Sequence, residues 1–185
     1  MTETRSGTGL PLYTPEQRLR RDSSPWTLVQ GILAPAQFLV FLISLGLVLH
    51  FLATGQGQLA ATASVIAKTL TLYAIMVTGA IWEKKVFGRY LFAPAFFWED
   101  ATSMIVIGLH TAYLAALYTG SLGAHDLMML ALAAYATYVV NAVQFVAKLR
   151  AARLQEARTK LVSAWQQAPT FTVGQAVGQG VGQGA

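Results

Sequence analysis

The chain contains no cysteine in its 185 residues, which removes a disulfide framework, a thiolate metal site, an iron–sulfur cluster and a cysteine nucleophile. Charge is scarce as well: Asp, Glu, Lys and Arg make up 11%, against roughly 25% in ordinary globular domains. That is too little to cover a water-facing surface. No glycine-rich phosphate loop, Gly-X-Ser-X-Gly elbow or His-Glu-X-X-His pair occurs, so ATP use, hydride transfer and zinc hydrolysis lack support. What is present is apolar. Hydrophobic residues are 55%, the mean hydropathy is +0.49, and the length suits one domain. A net charge of +5 would raise nucleic acid as a partner of a soluble protein, but here the cations punctuate apolar runs and a membrane explains them better.

Crossing a bilayer core takes about 20 apolar residues, and four segments qualify: 28–52, 60–82, 101–119 and 127–147. The expected fold is therefore all-α, a polytopic bundle of four transmembrane helices. Pro35 is expected to kink the first. The first apolar run is longer than the core of a secretory signal and no small-residue cleavage site follows, so it reads as an uncleaved span. Residues 1–27 form a polar arm whose prolines break any long helix. Residues 148–165 read as a basic amphipathic helix on anionic headgroups. Residues 166–185, with their Val-Gly-Gln repeat, read as a disordered tail.

Of the 13 basic residues, 4 lie in the arm, 3 in the loop 83–100 and 5 after the fourth span. Loops rich in Lys and Arg stay in the cytoplasm, so both termini and the middle loop are expected there. Trp26, Trp82 and Trp98 fit an aromatic belt at the same interface.

The remaining basic residue, Lys68, falls inside the second span, where an ammonium costs about 2.5–3.5 kcal/mol. It must face the bundle, pair, lose its proton, or snorkel outward. His110 sits near the centre of the third span, as a neutral histidine donating to a neighbouring helix or as a ligand to a metal or to a pigment's central magnesium. Glu83, Glu99 and Asp100 bracket the middle loop. On a helix Glu99, Ser103, Val106 and His110 fall on one stripe. Asn141, Gln144 and Lys148 form a polar stripe on the fourth span that lipid would not tolerate cheaply. The loop interleaves Lys84, Lys85 and Arg89 with six aromatics, Tyr90 and Trp98 among them. That is either interfacial anchoring or a site for a flat, apolar, anionic molecule, with aromatics on its face and a cation on its carboxylate.

Several stretches carry a resemblance: Tyr13-Thr14-Pro15-Glu16-Gln17-Arg18, Ser24-Pro25-Trp26-Thr27, Gly79-Ala80-Ile81-Trp82-Glu83-Lys84, Val86-Phe87-Gly88-Arg89, and Phe92-Ala93-Pro94-Ala95-Phe96-Phe97-Trp98-Glu99-Asp100. Over about residues 12–150 the chain resembles the 3-vinyl (also called 2-vinyl) bacteriochlorophyllide hydratase family of bacteriochlorophyll biosynthesis. The resemblance implies a hydro-lyase of the bacterial inner, intracytoplasmic photosynthetic membrane. It would add water across the ring-A vinyl group of chlorophyllide a or 3-vinyl bacteriochlorophyllide, giving a 1-hydroxyethyl group. A non-catalytic pigment carrier or assembly protein is the alternative. The resemblance brings no catalytic residues, so the roles come from the chemistry. Glu99, Asp100 and Glu83 are the candidate acid and water-positioning groups. Lys84, Lys85 and Arg89 are candidates for the substrate's propionate, with Tyr90, Trp98, Asn141 and Gln144 lining the site and His110 on its magnesium. Hydration needs no redox cofactor, and no protein metal site is expected because the magnesium belongs to the substrate. The expected partners are the chlorophyllide, membrane lipid and other pigment-biosynthesis enzymes, not nucleic acid.

Overall fold

The computed structural model describes residues 12–167; the Val-Gly-Gln repeat and the first eleven residues lie outside the described residues. The described chain is all-α. A short helix α1 (Pro15–Ser23) precedes four long ones: α2 (Pro25–Thr54), α3 (Gln58–Phe87), α4 (Phe97–Thr119) and α5 (Ala124–Gln167). Each of the four is long and apolar enough to cross a membrane, and between 22% and 28% of each apolar window is buried within the protein. Large apolar side chains such as Leu39, Ile43, Leu70, Ile105 and Val140 point outward, as lipid-facing positions do.

Glycine sets the turns. Gly55 (φ 71°) ends α2 and Gly57 (φ 82°) precedes α3, giving a tight hairpin, and Gly120 (φ 64°) ends α4 before the turn into α5. These are left-handed conformations that glycine adopts without a Cβ penalty. Packing runs along α2–α3 and along α4–α5, and the two hairpins meet through α2–α5, α3–α4 and α3–α5. Ser44 on α2 joins them with hydroxyl contacts to Ser64 on α3 (2.7 Å) and Tyr135 on α5 (2.6 Å). Such interhelical bonds take the place that hydrophobic attraction cannot fill in lipid.

Two local features differ from the sequence reading. The arm is not irregular throughout: Thr14 and Gln17 form a capping box, Pro15 occupies the first turn, and nine residues coil as α1. The middle connection is also shorter than 83–100. α3 continues to Phe87, where Gly88 (φ 83°) caps it, and α4 begins at Phe97. Glu83, Glu99 and Asp100 therefore stand on helix ends, not in a loop. α2 runs through Pro35 as one helix, and α5 passes through position 148 without interruption.

Candidate active site

The end of the bundle that holds the 88–96 loop gathers polar and aromatic groups from every helix. α1 lies against it. Tyr13 is buried, stacks on Phe87 at 5.7 Å and leans on Phe96 at 6.4 Å, while Arg18 and Arg21 reach Glu156 of α5 at 3.5 and 3.4 Å. Trp82 contacts both Phe87 and Phe96 edge-on at 5.8 Å, and its indole N–H donates to Thr27 at 2.9 Å. These rings and Val86 form a second, smaller core separate from the mid-bundle one.

Beside this core the carboxyls of Glu83 (α3) and Asp100 (α4) lie against each other. Both residues are buried, 5% and 3% exposed. Two carboxylates in contact repel strongly, so the pair retains a proton between them. Backbone donors complete the arrangement. The Phe92 N–H donates to Asp100 Oδ2 at 2.7 Å and the Ala93 N–H to Glu83 Oε2 at 3.4 Å. Phe92 adopts a positive φ of 57° without being glycine, a strained conformation that costs about 1–3 kcal/mol and clusters at functional sites. The hydrogen bond to Asp100 helps to hold it.

Glu99, although next to Asp100 in sequence, turns elsewhere. Its Oε2 accepts from Lys148 Nζ of α5 at 2.6 Å. Asn141 Nδ2 donates to the Glu99 carbonyl (2.8 Å) and to Ser103 Oγ (3.1 Å), clamping the start of α4 to α5. Glu99, Ser103, Val106 and His110 are all buried, so the stripe that their spacing predicts faces the bundle. Gln144 lies on the same side of α5, half-buried, with its Oε1 enclosed and unbonded.

The cations of the loop separate. Lys84 folds back to the Gly88 carbonyl at 3.0 Å and sits 5.1 Å from the centre of the Tyr90 ring, which makes it a helix cap. Lys85 instead lines a cavity of about 380 Å³ with Arg20, Ser23, Ser24, Pro25 and Trp26. Arg20 was not legible as a site residue, because only the docking of α1 brings it to Lys85. Arg89, Tyr90 (61% exposed) and Trp98 (73%) project outward, as interfacial side chains do.

His110 lies apart from this end. Ten residues of α4 put it about 15 Å along the axis from Asp100; it is fully buried, with Nδ1 2.8 Å from the Val106 carbonyl. A macrocycle reaching it would have to part the two hairpins. Lys68 is equally buried and does not snorkel: its Nζ lies 3.6 Å from the centre of the Tyr138 ring. Tyr138 was not anticipated, although Tyr135, Tyr138 and Asn141 recur at helical spacing. Among the described residues no group of three or more His, Asp or Glu converges as a metal site would require.

Comparison with known proteins identifies the family. The family described as 2-vinyl bacteriochlorophyllide hydratase matches residues 13–151. A Cereibacter sphaeroides protein named 2-vinyl bacteriochlorophyllide hydratase is 72% identical over 144 residues, covering 77% of this chain and 89% of that protein. A Rhodobacter capsulatus protein of the same name is 68% identical over 146 residues, covering 79% and 85%. No solved structure matches the chain. The chain belongs to the 2-vinyl bacteriochlorophyllide hydratase family.

Proposed function

We propose that this chain is a membrane hydro-lyase that adds water across the ring-A vinyl group of a chlorophyllide or bacteriochlorophyllide, with the Glu83–Asp100 pair as its acid. The observation that carries the assignment of the acid is the contact between these two buried carboxyls, at an aromatic end, in a family of hydratases. The pair transfers its proton to the terminal vinyl carbon. The cation that forms on the carbon attached to the ring is delocalised into the macrocycle. A water attacks that carbon, and the proton it loses returns to the pair, so one water is consumed and the acid is regenerated. Glu99, paired with Lys148 at 2.6 Å, orients the water or receives its proton on the way.

Lys85 and Arg20 are the cations placed to take the substrate's propionate, with Trp26 beside them; Tyr90, Trp98 and Arg89 stand at the interface through which an amphiphilic pigment arrives. The chemistry needs no electron carrier, and the magnesium travels with the substrate. The shared placement of α1, the 88–96 loop and the basic part of α5 puts the cations at one end, which the positive-inside rule assigns to the cytoplasm. The membrane is then the bacterial inner membrane and its photosynthetic extensions, with the other pigment-biosynthesis enzymes as neighbours. Asp100→Asn and Glu83→Gln are each expected to lower turnover about 100-fold or more while pigment still binds. Full turnover in both variants contradicts the assignment.

A further inference from the structure

The mid-bundle core contains buried polar atoms that the acid site does not use. Lys68 Nζ, His110 Nε2 and Gln37 Nε2 are enclosed and make no hydrogen bond among the described residues. Lys68 and His110 are both 0% exposed and Gln37 is 4%. Lys68 and His110 belong to one compartment. Lys68 lies over the Tyr138 ring at 3.6 Å, Tyr138 is 4.9 Å from Phe41, Phe41 is 5.4 Å from Tyr135, and Tyr135 is 5.9 Å from the His110 ring. Lys68 and His110 thus lie against neighbouring tyrosines of α5 that share Phe41, and all four long helices contribute a wall.

Chemical roles select the occupant. A carbonyl only accepts, so His110 Nδ1 carries the hydrogen toward Val106 and Nε2 is left as an acceptor. Lys68 and the Gln37 amide nitrogen only donate. An anion would satisfy Lys68 and oppose the His110 lone pair; a metal ion would suit the lone pair and repel the ammonium. Water accepts from Lys68 and donates to His110, so it satisfies both, and buried polar groups of this kind are ordinarily met by ordered water. Toward the acid pair, beyond Val106, α4 carries further buried polar groups. Ser103 is seven residues from His110 on α4, about 10 Å, and Asp100 three further on, about 4.5 Å, with Asn141 bonded to Ser103 at 3.1 Å.

We propose that Lys68 and His110 form a buried water-binding station that supplies the hydration from inside the bundle. The supply role rests on the hydratase reading; the water site itself does not. A buried unpaired lysine is destabilising, so with no role Lys68→Met should raise the melting temperature at no cost in activity. The test uses the full chain in lipid nanodiscs with labelled histidine. Magnetisation transfer from water to the His110 ring, assigned through His110→Phe, is expected in the wild type and is expected to disappear in Lys68→Met. kcat should fall about tenfold or more in Lys68→Met and His110→Phe, with the KM for pigment changed by no more than about twofold. Lys68→Gln and His110→Gln, which keep a donor and an acceptor, should recover part of kcat. Absence of transfer in the wild type overturns the water site. Full kcat in Lys68→Met overturns its supply role. Transfer in a wild-type protein that leaves pigment unaltered would preserve the site and refute the hydratase reading alone.

Discussion

Glu99 and Asp100 are adjacent in sequence yet serve different partners, because a step of about 100° around α4 turns one toward α5 and the other toward α3. That three carboxylates stand at the ends of apolar spans was legible in the sequence. Their partners were not, since the contacts Glu83–Asp100 and Glu99–Lys148 each join helices far apart in the chain. Adjacency in sequence does not make Glu99 and Asp100 the interacting pair, because the carboxyl that lies against Asp100 is that of Glu83. Lys148→Met would strand a mostly buried carboxylate, the Glu99 side chain being 8% exposed. We expect a stability loss of about 1–3 kcal/mol, measured as thermal unfolding in detergent, with much of it restored in the Lys148→Met, Glu99→Gln double variant. An unchanged melting temperature in Lys148→Met would mean that the ion pair contributes nothing.

The long helices announced themselves by length and hydropathy, and their ends less so. The sequence reading set charged residues outside the apolar spans, but α3 carries Glu83, Lys84 and Lys85 for a further turn until Gly88 stops it. The Thr14–Gln17 capping box of α1 was readable in the same way, although its docking was not. That docking rests on two kinds of contact: partly exposed ion pairs to Glu156, each worth about 0–1 kcal/mol, and a Tyr13 ring that is only 3% exposed, whose loss costs about 3 kcal/mol or more. Tyr13→Ala should therefore accelerate trypsin cleavage after Arg18, Arg20 and Arg21 far more than Glu156→Ala does; equal rates would show that the ion pairs, not the ring, hold the arm. The cavity between α1 and Lys85 makes a related prediction. Arg20→Gln with Lys85→Gln should raise the KM for a free-acid pigment about tenfold, the scale of a charge-assisted hydrogen bond, and leave that for its methyl ester unchanged. If both pigments respond alike, the cavity does not read the propionate.

As a whole the molecule is apolar outside and polar along part of its axis, the reverse of a soluble bundle. Leu39, Ile43 and Val140 face out, while Gln37, Ser44, Lys68, His110, Ser103, Asn141 and the acid pair face in. Hydropathy made the outer face legible, and helical spacing made the inner stripe of α4 legible. The convergence of stripes from four helices required the folded arrangement. An interior of this kind, closed at one end by aromatics and carboxyls, suits an enzyme that must bring water and a proton to a lipid-soluble substrate. The most direct measurement is to incubate the purified protein in nanodiscs with chlorophyllide a in ¹⁸O-labelled water, without added cofactor, and to follow mass and absorption. A hydratase gives the gain of one labelled water and a blue-shifted red band as the vinyl group leaves conjugation, which is the expected result; pigment that binds and is recovered unaltered would contradict turnover and identify a carrier.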